Sequence, residues 1–305
     1  MSAFGLEAKG LRKEFGDKVA VSNLTLSVPR GEIFGFLGPN GAGKTTSMKM
    51  LLGLVRPTAG SGALLGVPIF KARSRTRVGY LPEHFSFHEW LTGSELLRLH
   101  ARLLGLKREG LGGHVLTLLR RVGLEDDAER RLRDYSKGMK QRLGLAQALL
   151  GDPELVFLDE PTSGLDPLGR RLVRDVIREL KASGTTVFVN SHLLSEVEVT
   201  SDRVAFVKGG AVVREMALGL GLSSVEVEMR LEKVLEGGIS GITRFGTNVR
   251  QEGTLVRLCM ESEARLPEMT RWLAAQGVGL YELRARRPSL EELFLEVIGD
   301  APLEG

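Results

Sequence analysis

The hydrophobic pattern changes period several times along the chain, and each change marks an element. Leu24, Leu26 and Val28 alternate with Asn23, Thr25 and Ser27, the period of two expected of a half-buried strand. Arg30-Gly31-Glu32 turns the chain, and Ile33-Phe34-Gly35-Phe36-Leu37 is a continuous apolar run that predicts a strand buried on both faces. Strands are therefore expected between Val19 and Leu37. Residues 38–43 break the run, and helical spacing resumes from Lys44 to Leu54. From about Glu89 to Leu150 the spacing is mostly helical. Leu96, Leu99, Leu103 and Leu104 are expected to share one apolar face, and Val115, Leu118, Leu119 and Val122 another. A second buried-strand run, Leu155-Val156-Phe157-Leu158, follows Pro153. A helix over Leu168 to Lys181 and a strand over Thr185 to Val189 come next. Strands alternating with helices predict an α/β domain with a mainly parallel sheet, which the helical block interrupts as a subdomain.

The pattern changes character near residue 217, where Ala217-Leu218-Gly219-Leu220-Gly221 reads as a connector. Beyond it, Val225, Val227, Met229 and Leu231 alternate as one face of a strand, and a second strand is expected over Leu255 to Met260. A helix carrying Leu266, Met269 and Leu273 follows, then a short strand near Val278 to Leu283. After Pro288, Ser289 and Glu292 form a capping box ahead of the stripe Leu290, Leu293, Phe294 and Val297. A length of 305 residues fits this division into a domain over 1–217 and a small α+β unit over 218–305.

Composition narrows the functional classes. The chain is 42% hydrophobic and 26% charged, enough apolar material for a substantial core. Its one cysteine, Cys259, allows no intrachain disulfide, which fits a reducing cytosol. Residues 1–7 lack the basic and apolar regions of a secretory signal, and no uncharged apolar stretch approaches the ~18 residues that span a bilayer. A soluble protein is expected, with any membrane role supplied through a partner. The net charge of +4 is mild, and the arginine clusters at 73–77, 130–133 and 284–287 read as solvated faces, so no nucleic-acid partner is expected.

Three motifs carry chemistry. Gly38-Pro39-Asn40-Gly41-Ala42-Gly43-Lys44-Thr45 follows an apolar strand and opens a helix. Its glycines turn backbone N–H groups toward phosphates, the helix N-terminus adds its dipole, Lys44 reaches the β/γ oxygens, and Thr45 can ligate Mg²⁺. Leu155-Val156-Phe157-Leu158-Asp159-Glu160 is a buried strand that ends in two adjacent carboxylates. Asp159 can hold the Mg²⁺ shell and Glu160 can polarise the water that attacks the γ-phosphate. Asp134-Tyr135-Ser136-Lys137-Gly138-Met139-Lys140-Gln141-Arg142 alone is a helix N-cap in which Gly138 permits close approach.

Together these motifs, over roughly Leu6 to Ala217, resemble the nucleotide-binding subunit of an ABC transporter. The resemblance implies a P-loop α/β fold: a mainly parallel sheet, an antiparallel β-subdomain and an inserted helical subdomain at about 84–150, followed by the small α+β appendage. It implies ATP and Mg²⁺ as ligands, with Phe15 stacking on adenine, the P-loop through Thr46, and Thr45, Glu83 and Asp159 at the metal. It places Ser136, Lys137, Gly138 and Met139 in the signature loop, facing the ATP of a second subunit in a head-to-tail dimer. Ser163-Gly164-Leu165-Asp166 matches the D-loop along the dimer seam, and His192 in Asn190-Ser191-His192 matches the switch histidine. For Phe15 taken alone, a core position is the ordinary reading.

Two motifs depart from the family. Tyr135-Ser136-Lys137-Gly138-Met139 keeps the serine and second glycine of Leu-Ser-Gly-Gly-Gln, and Glu83 replaces the Q-loop glutamine, adding charge near the phosphates. Tyr80-Leu81-Pro82-Glu83, the signature variant and the tail Pro288-Ser289-Leu290-Glu291-Glu292-Leu293-Phe294 look like the exporter branch whose permeases are ABC-2-type. The expected protein is thus an ATPase subunit, homodimeric, held on the cytoplasmic face of the inner membrane by a separate integral-membrane permease. Phe85, Phe87, Trp90 and Leu91 are the expected coupling surface, with ordinary core packing as the alternative. The competing functions are a non-transport ATPase acting on nucleic acid or ribosomes, and a module that binds ATP without turnover. A single P-loop argues against the first, and the presence of Lys44, Asp159, Glu160 and His192 against the second.

Overall fold

The computed structural model describes residues 2–218, 225–235 and 241–299. Gly219, Leu220 and Gly221 of the expected connector lie outside the described residues. The chain divides into two compact units, one of residues 1–216 joined by the chain from Val297 onward, the other of residues 217–296.

The first unit opens with β1 (Phe4–Phe15) and β2 (Lys18–Pro29), followed by β3 (Ile33–Leu37), α1 (Lys44–Leu51), β4 (Ala59–Leu64), β5 (Val67–Pro68) and β6 (Val78–Leu81). A helical block carries α2 (Gly93–Leu103), α3 (Leu111–Arg121) and α4 (Lys137–Ala148). Alternation then resumes with β7 (Leu155–Asp159), α5 (Pro167–Ala182), β8 (Thr186–Asn190), α6 (Leu194–Thr200), β9 (Arg203–Lys208) and β10 (Ala211–Ala217). Ten strands form one sheet in the order β5-β4-β1-β2-β10-β9-β3-β8-β7-β6. From β9 to β6 neighbouring strands are parallel, whereas β1 pairs antiparallel with β2 and β4.

The continuous apolar runs explain the centre of that sheet. Every residue of β3, β7 and β8 is buried, because helices and the antiparallel strands leave neither face to water. Phe34, Phe36 and Phe157 pack around Phe188 with ring centroids 5.6, 5.1 and 5.2 Å away. Burying each such ring is worth ~2–3 kcal/mol. Because β3, β8 and β7 are adjacent and parallel, their carboxyl ends lie side by side. Phe36 and Asp159 flank Asn190 in register. The loops that begin there therefore meet at one edge, as in other open α/β sheets.

One helix departs from the sequence expectation, and one strand was not expected at all. In α2 the buried apolar side chains are Leu96, Leu97 and Ala101, while Leu99, Leu103 and Leu104 are 38, 74 and 56% exposed. Apart from Leu96, the expected stripe thus faces outward. The Thr92–Glu95 capping box fixes where the helix starts, and the small Ala101, fully buried, leaves room for the rest of the helical block on its own side. In β1 the alternation of Leu6 and Ala8 is interrupted at Gly10 (φ 60°), where the register with β2 shifts and Leu11 becomes the next inward residue.

The second unit contains β11 (Val225–Leu231), β12 (Thr247–Glu252), β13 (Leu255–Met260), α7 (Leu266–Ala275), β14 (Leu280–Arg286) and most of α8 (Leu290–Gly299). Its antiparallel sheet has the order β12-β13-β11-β14, the strand order of a split β-α-β arrangement. Val225, Val227, Met229 and Leu231 are buried as expected, against Val256, Leu258 and Met260 of β13 and Met269 and Leu273 of α7. The expected capping box is formed: Glu292 N–H donates to Ser289 Oγ at 3.2 Å, and Ser289 N–H to Glu292 Oε2 at 2.8 Å.

Candidate functional site

Residues 38–43 wrap from the end of β3 into α1, and steric limits fix their identity. Gly43, at φ 90°, sits just before α1, and a Cβ there would lie 2.3 Å from the Ala20 carbonyl oxygen. A Cβ on Gly38 would lie 2.4 Å from the Val207 oxygen. The first turn of α1 has no acidic residue, so its positive end is left for an anion. Lys44 is only 9% exposed and its Nζ donates to the carbonyls of Gly38 (2.7 Å) and Pro39 (3.0 Å). Burial pushes its pKa down, opposed by the nearby charges of Glu160, Asp159 and Glu83.

Asp159 ends β7 at 1% exposure. Its Oδ1 accepts from Asn190 Nδ2 at 2.5 Å, while its Oδ2 is buried without a hydrogen-bond partner. Burial raises its pKa, against the Asn190 hydrogen bond. The next residue, Glu160, adopts φ 52°, a conformation that only a few per cent of non-glycine residues take. Its N–H donates to the Asn190 carbonyl at 2.8 Å, and its Oε2 stands 2.6 Å from His192 Nδ1. Burial is the main influence raising the Glu160 pKa, with His192 beside it acting in the opposite sense. Burial also pushes the Tyr80 phenol up to about 12, helped by the charges of Asp159 and Glu83. The site therefore concentrates negative charge where an incoming cation or proton would relieve it.

These groups open into a cleft of about 580 Å³. Of the expected residues, Asn40, Gly41, Gly43, Lys44, Thr45, Thr46, Glu83, Glu160 and His192 line it. Gly38 and Pro39 hold Lys44 from below, and Ala42 is buried beneath the loop. Lys18, Val19, Ala20 and Asn190 also line it, none of them singled out by the sequence reading. Asn190 follows a plain apolar run, and the signal that would have found it is its place in register beside Asp159. Phe15 is not in the core: it is 52% exposed at the hairpin between β1 and β2, with Lys13 Nζ 4.7 Å from its ring centroid. It stands outside the residues that line the cleft.

A second cleft, of about 490 Å³, shares none of those residues. Ser136, Lys137, Gly138 and Met139 line it together with Gly164, Leu165 and Asp166. Here the polar groups are already satisfied within their own helices. Ser136 Oγ accepts from Met139 N–H at 3.1 Å to cap α4, and Asp166 Oδ1 accepts from Gly169 N–H at 2.7 Å to cap α5. Ser163 turns the other way and donates its N–H to the Glu160 carbonyl at 3.1 Å.

Phe85 and Phe87, with ring centroids 4.8 Å apart, and Leu91 are half-buried against the helical core, whereas Trp90 is 66% exposed and lies against His88. Phe85, Phe87 and Leu91 thus pack partly against the core, whereas Trp90 does not. No helix among the described residues is long and apolar enough to cross a membrane.

Comparison with known proteins places the family and the fold. The ABC transporter family profile matches residues 21–163. The chain is 35% identical over 308 residues to the daunorubicin resistance ATP-binding protein of Streptomyces coeruleorubidus, covering 98% of each chain. It is also 35% identical over 315 residues to Nod factor export ATP-binding protein I of a Rhizobium strain, again covering 98% of each. A solved ATP-binding subunit of an ABC transporter superposes with a TM-score of 0.66 at 32% identity, over 70% of this chain and 90% of that one. The phosphate loop, the paired carboxylates and the fold that aligns them therefore belong to an ATPase of the ABC family, and the chain is an ABC transporter ATP-binding subunit.

Proposed function

We propose that this subunit hydrolyses ATP as a head-to-tail homodimer in which each phosphate-loop cleft is completed by the signature loop of the other copy. The observation that carries this reading is the separation of the two clefts. Ser136 and Gly138 line a cleft that shares no residue with the one around Lys44, and in the proposed dimer a γ-phosphate at the P-loop of one chain meets them from a second chain. The backbone N–H groups of 41–45 and Nζ of Lys44 hold the phosphates, Phe15 stacks on adenine by swinging from its exposed position, and Glu160 takes the proton of the attacking water. His192, 2.6 Å from Glu160, keeps that carboxylate oriented and reaches toward the γ-phosphate. The donor set fits Mg²⁺: the unpartnered Asp159 Oδ2, the Thr45 hydroxyl and Glu83 are hard oxygen ligands, few enough to leave positions for phosphates and water. Bound there, the ion neutralises phosphate charge.

Closing and reopening of the dimer drives a separate integral-membrane permease of the ABC-2 type, in the direction of export, with the subunit held on the cytoplasmic face of the inner membrane. Support comes from the relatives, one named for export of Nod factor and one for daunorubicin resistance. The test is recovery of the tagged chain from detergent-solubilised membranes, followed by mass spectrometry. A co-purifying polytopic protein without its own P-loop is the expected result. Recovery of soluble partners or nucleic acid alone contradicts the transport reading and moves the ATPase to another task.

A further inference from the structure

Gln141, 5% exposed, is the one polar side chain among the buried residues of α4, which are otherwise Leu143, Gly144, Leu145, Ala146 and Ala148. A leucine would satisfy the packing there, so the amide needs partners to offset its desolvation. It finds them outside its own helix: Nε2 donates to the carbonyl of Glu160 at 3.1 Å and to that of Pro161 at 3.3 Å. Both partners are acceptors only, which fixes the orientation of the amide.

Those carbonyls belong to the turn in which Glu160 takes its left-handed backbone. A non-glycine residue persists in that conformation only where its surroundings over-determine it. Here the Glu160 N–H is held by Asn190, and its carbonyl by Ser163 N–H and by Gln141. The first two ties come from the sheet edge and from the residues just after Glu160. The third comes from the helix that begins at the Ser136 cap, five residues away, or about 7.5 Å along a rigid α-helix.

We infer that Gln141 is a positioning residue for ATP hydrolysis, whose amide pins the Glu160–Pro161 backbone and links the signature-loop helix to the general base. A shift of the Ser136 end of α4, as a second chain engages it, moves the amide and with it the turn that aims the Glu160 carboxylate. This rests on the reading of Glu160 as the base. It adds a residue and a route by which engagement of one cleft reaches the chemistry of the other.

The test compares Gln141→Leu, which keeps the volume without the donor, and Gln141→Glu, which keeps the shape but presents acceptors to two carbonyls. Measured in the full chain with Mg²⁺-ATP, each lowers kcat by about 10- to 100-fold, while KM and equilibrium ATP binding stay within about twofold. Because Gln141 acts through Glu160, adding Gln141→Leu to Glu160→Gln produces no further loss in single-turnover hydrolysis. Wild-type kcat in both variants, losses that multiply with that of Glu160→Gln, or unfolding of both variants at the assay temperature each overturn the proposal. A Glu160→Gln protein that turns over like the wild type overturns the reading of Glu160 instead.

Discussion

The two clefts of the ATPase unit are built on opposite principles. The phosphate-loop cleft collects features that a stable fold avoids: a lysine and two carboxylates below 10% exposure, an unpartnered carboxylate oxygen, and a glutamate in left-handed backbone. The signature cleft has none of that strain. Its serine and aspartate cap the helices α4 and α5, and its lysine lies exposed. One region thus holds its chemistry ready at a cost in stability, while the other is a satisfied surface whose role depends on what it meets.

Substitutions sharpen that contrast. The largest effect is expected for Glu160→Gln, with multiple-turnover hydrolysis reduced roughly 10²–10⁴-fold, the range of general-base catalysis, and ATP binding retained. Lys44→Ala should weaken equilibrium ATP binding by about 100-fold, because a buried charge-assisted contact to phosphate is lost. In the second cleft, Ser136→Ala should leave ATP binding to an isolated chain within about twofold while hydrolysis falls about tenfold. Its lost cap costs about 1 kcal/mol, read as a lower melting temperature. Equal losses of ATP binding in Lys44→Ala and Ser136→Ala would dissolve the distinction between the clefts.

The smallest effect concerns pH. Burial raises the pKa of Glu160, so the folded state holds that proton more tightly than the unfolded chain. Its contribution to stability is complete below the ordinary carboxylate range, near pH 4, and is lost as pH rises through the higher folded value. Without nucleotide, Glu160→Gln should therefore melt a few degrees above the wild type at pH 7, with the gap closing toward pH 4. A constant gap across that range would mean that ionisation of Glu160 is not its source.

Much of the phosphate-loop cleft was legible because its residues are fixed by local sterics and by strand endings. Gly43 against the Ala20 carbonyl, and Asp159 and Glu160 at the tip of a fully apolar run, leave their mark in one dimension. What stayed hidden depends on pairing between distant segments. Asn190 acquires its role only from register with Asp159, and Gln141 only from the approach of α4 to the Glu160 turn. The outward stripe of α2 failed for the same reason: Leu96 belongs to two stripes, and the side with Leu97 and Ala101 is the buried one. β1 escaped because a bulge at Gly10 breaks the alternation that would announce it.

The proposed dimer requires that the two clefts complete each other across two copies of the chain when ATP is bound. The direct measurement is the mass of the Glu160→Gln protein by light scattering, with and without Mg²⁺-ATP. Saturating ATP should convert a 33.3 kDa species to about twice that mass, and Lys44→Ala in the same background should prevent it. A mass that does not change between no nucleotide and saturating ATP, with binding confirmed in the same sample, would contradict the claim.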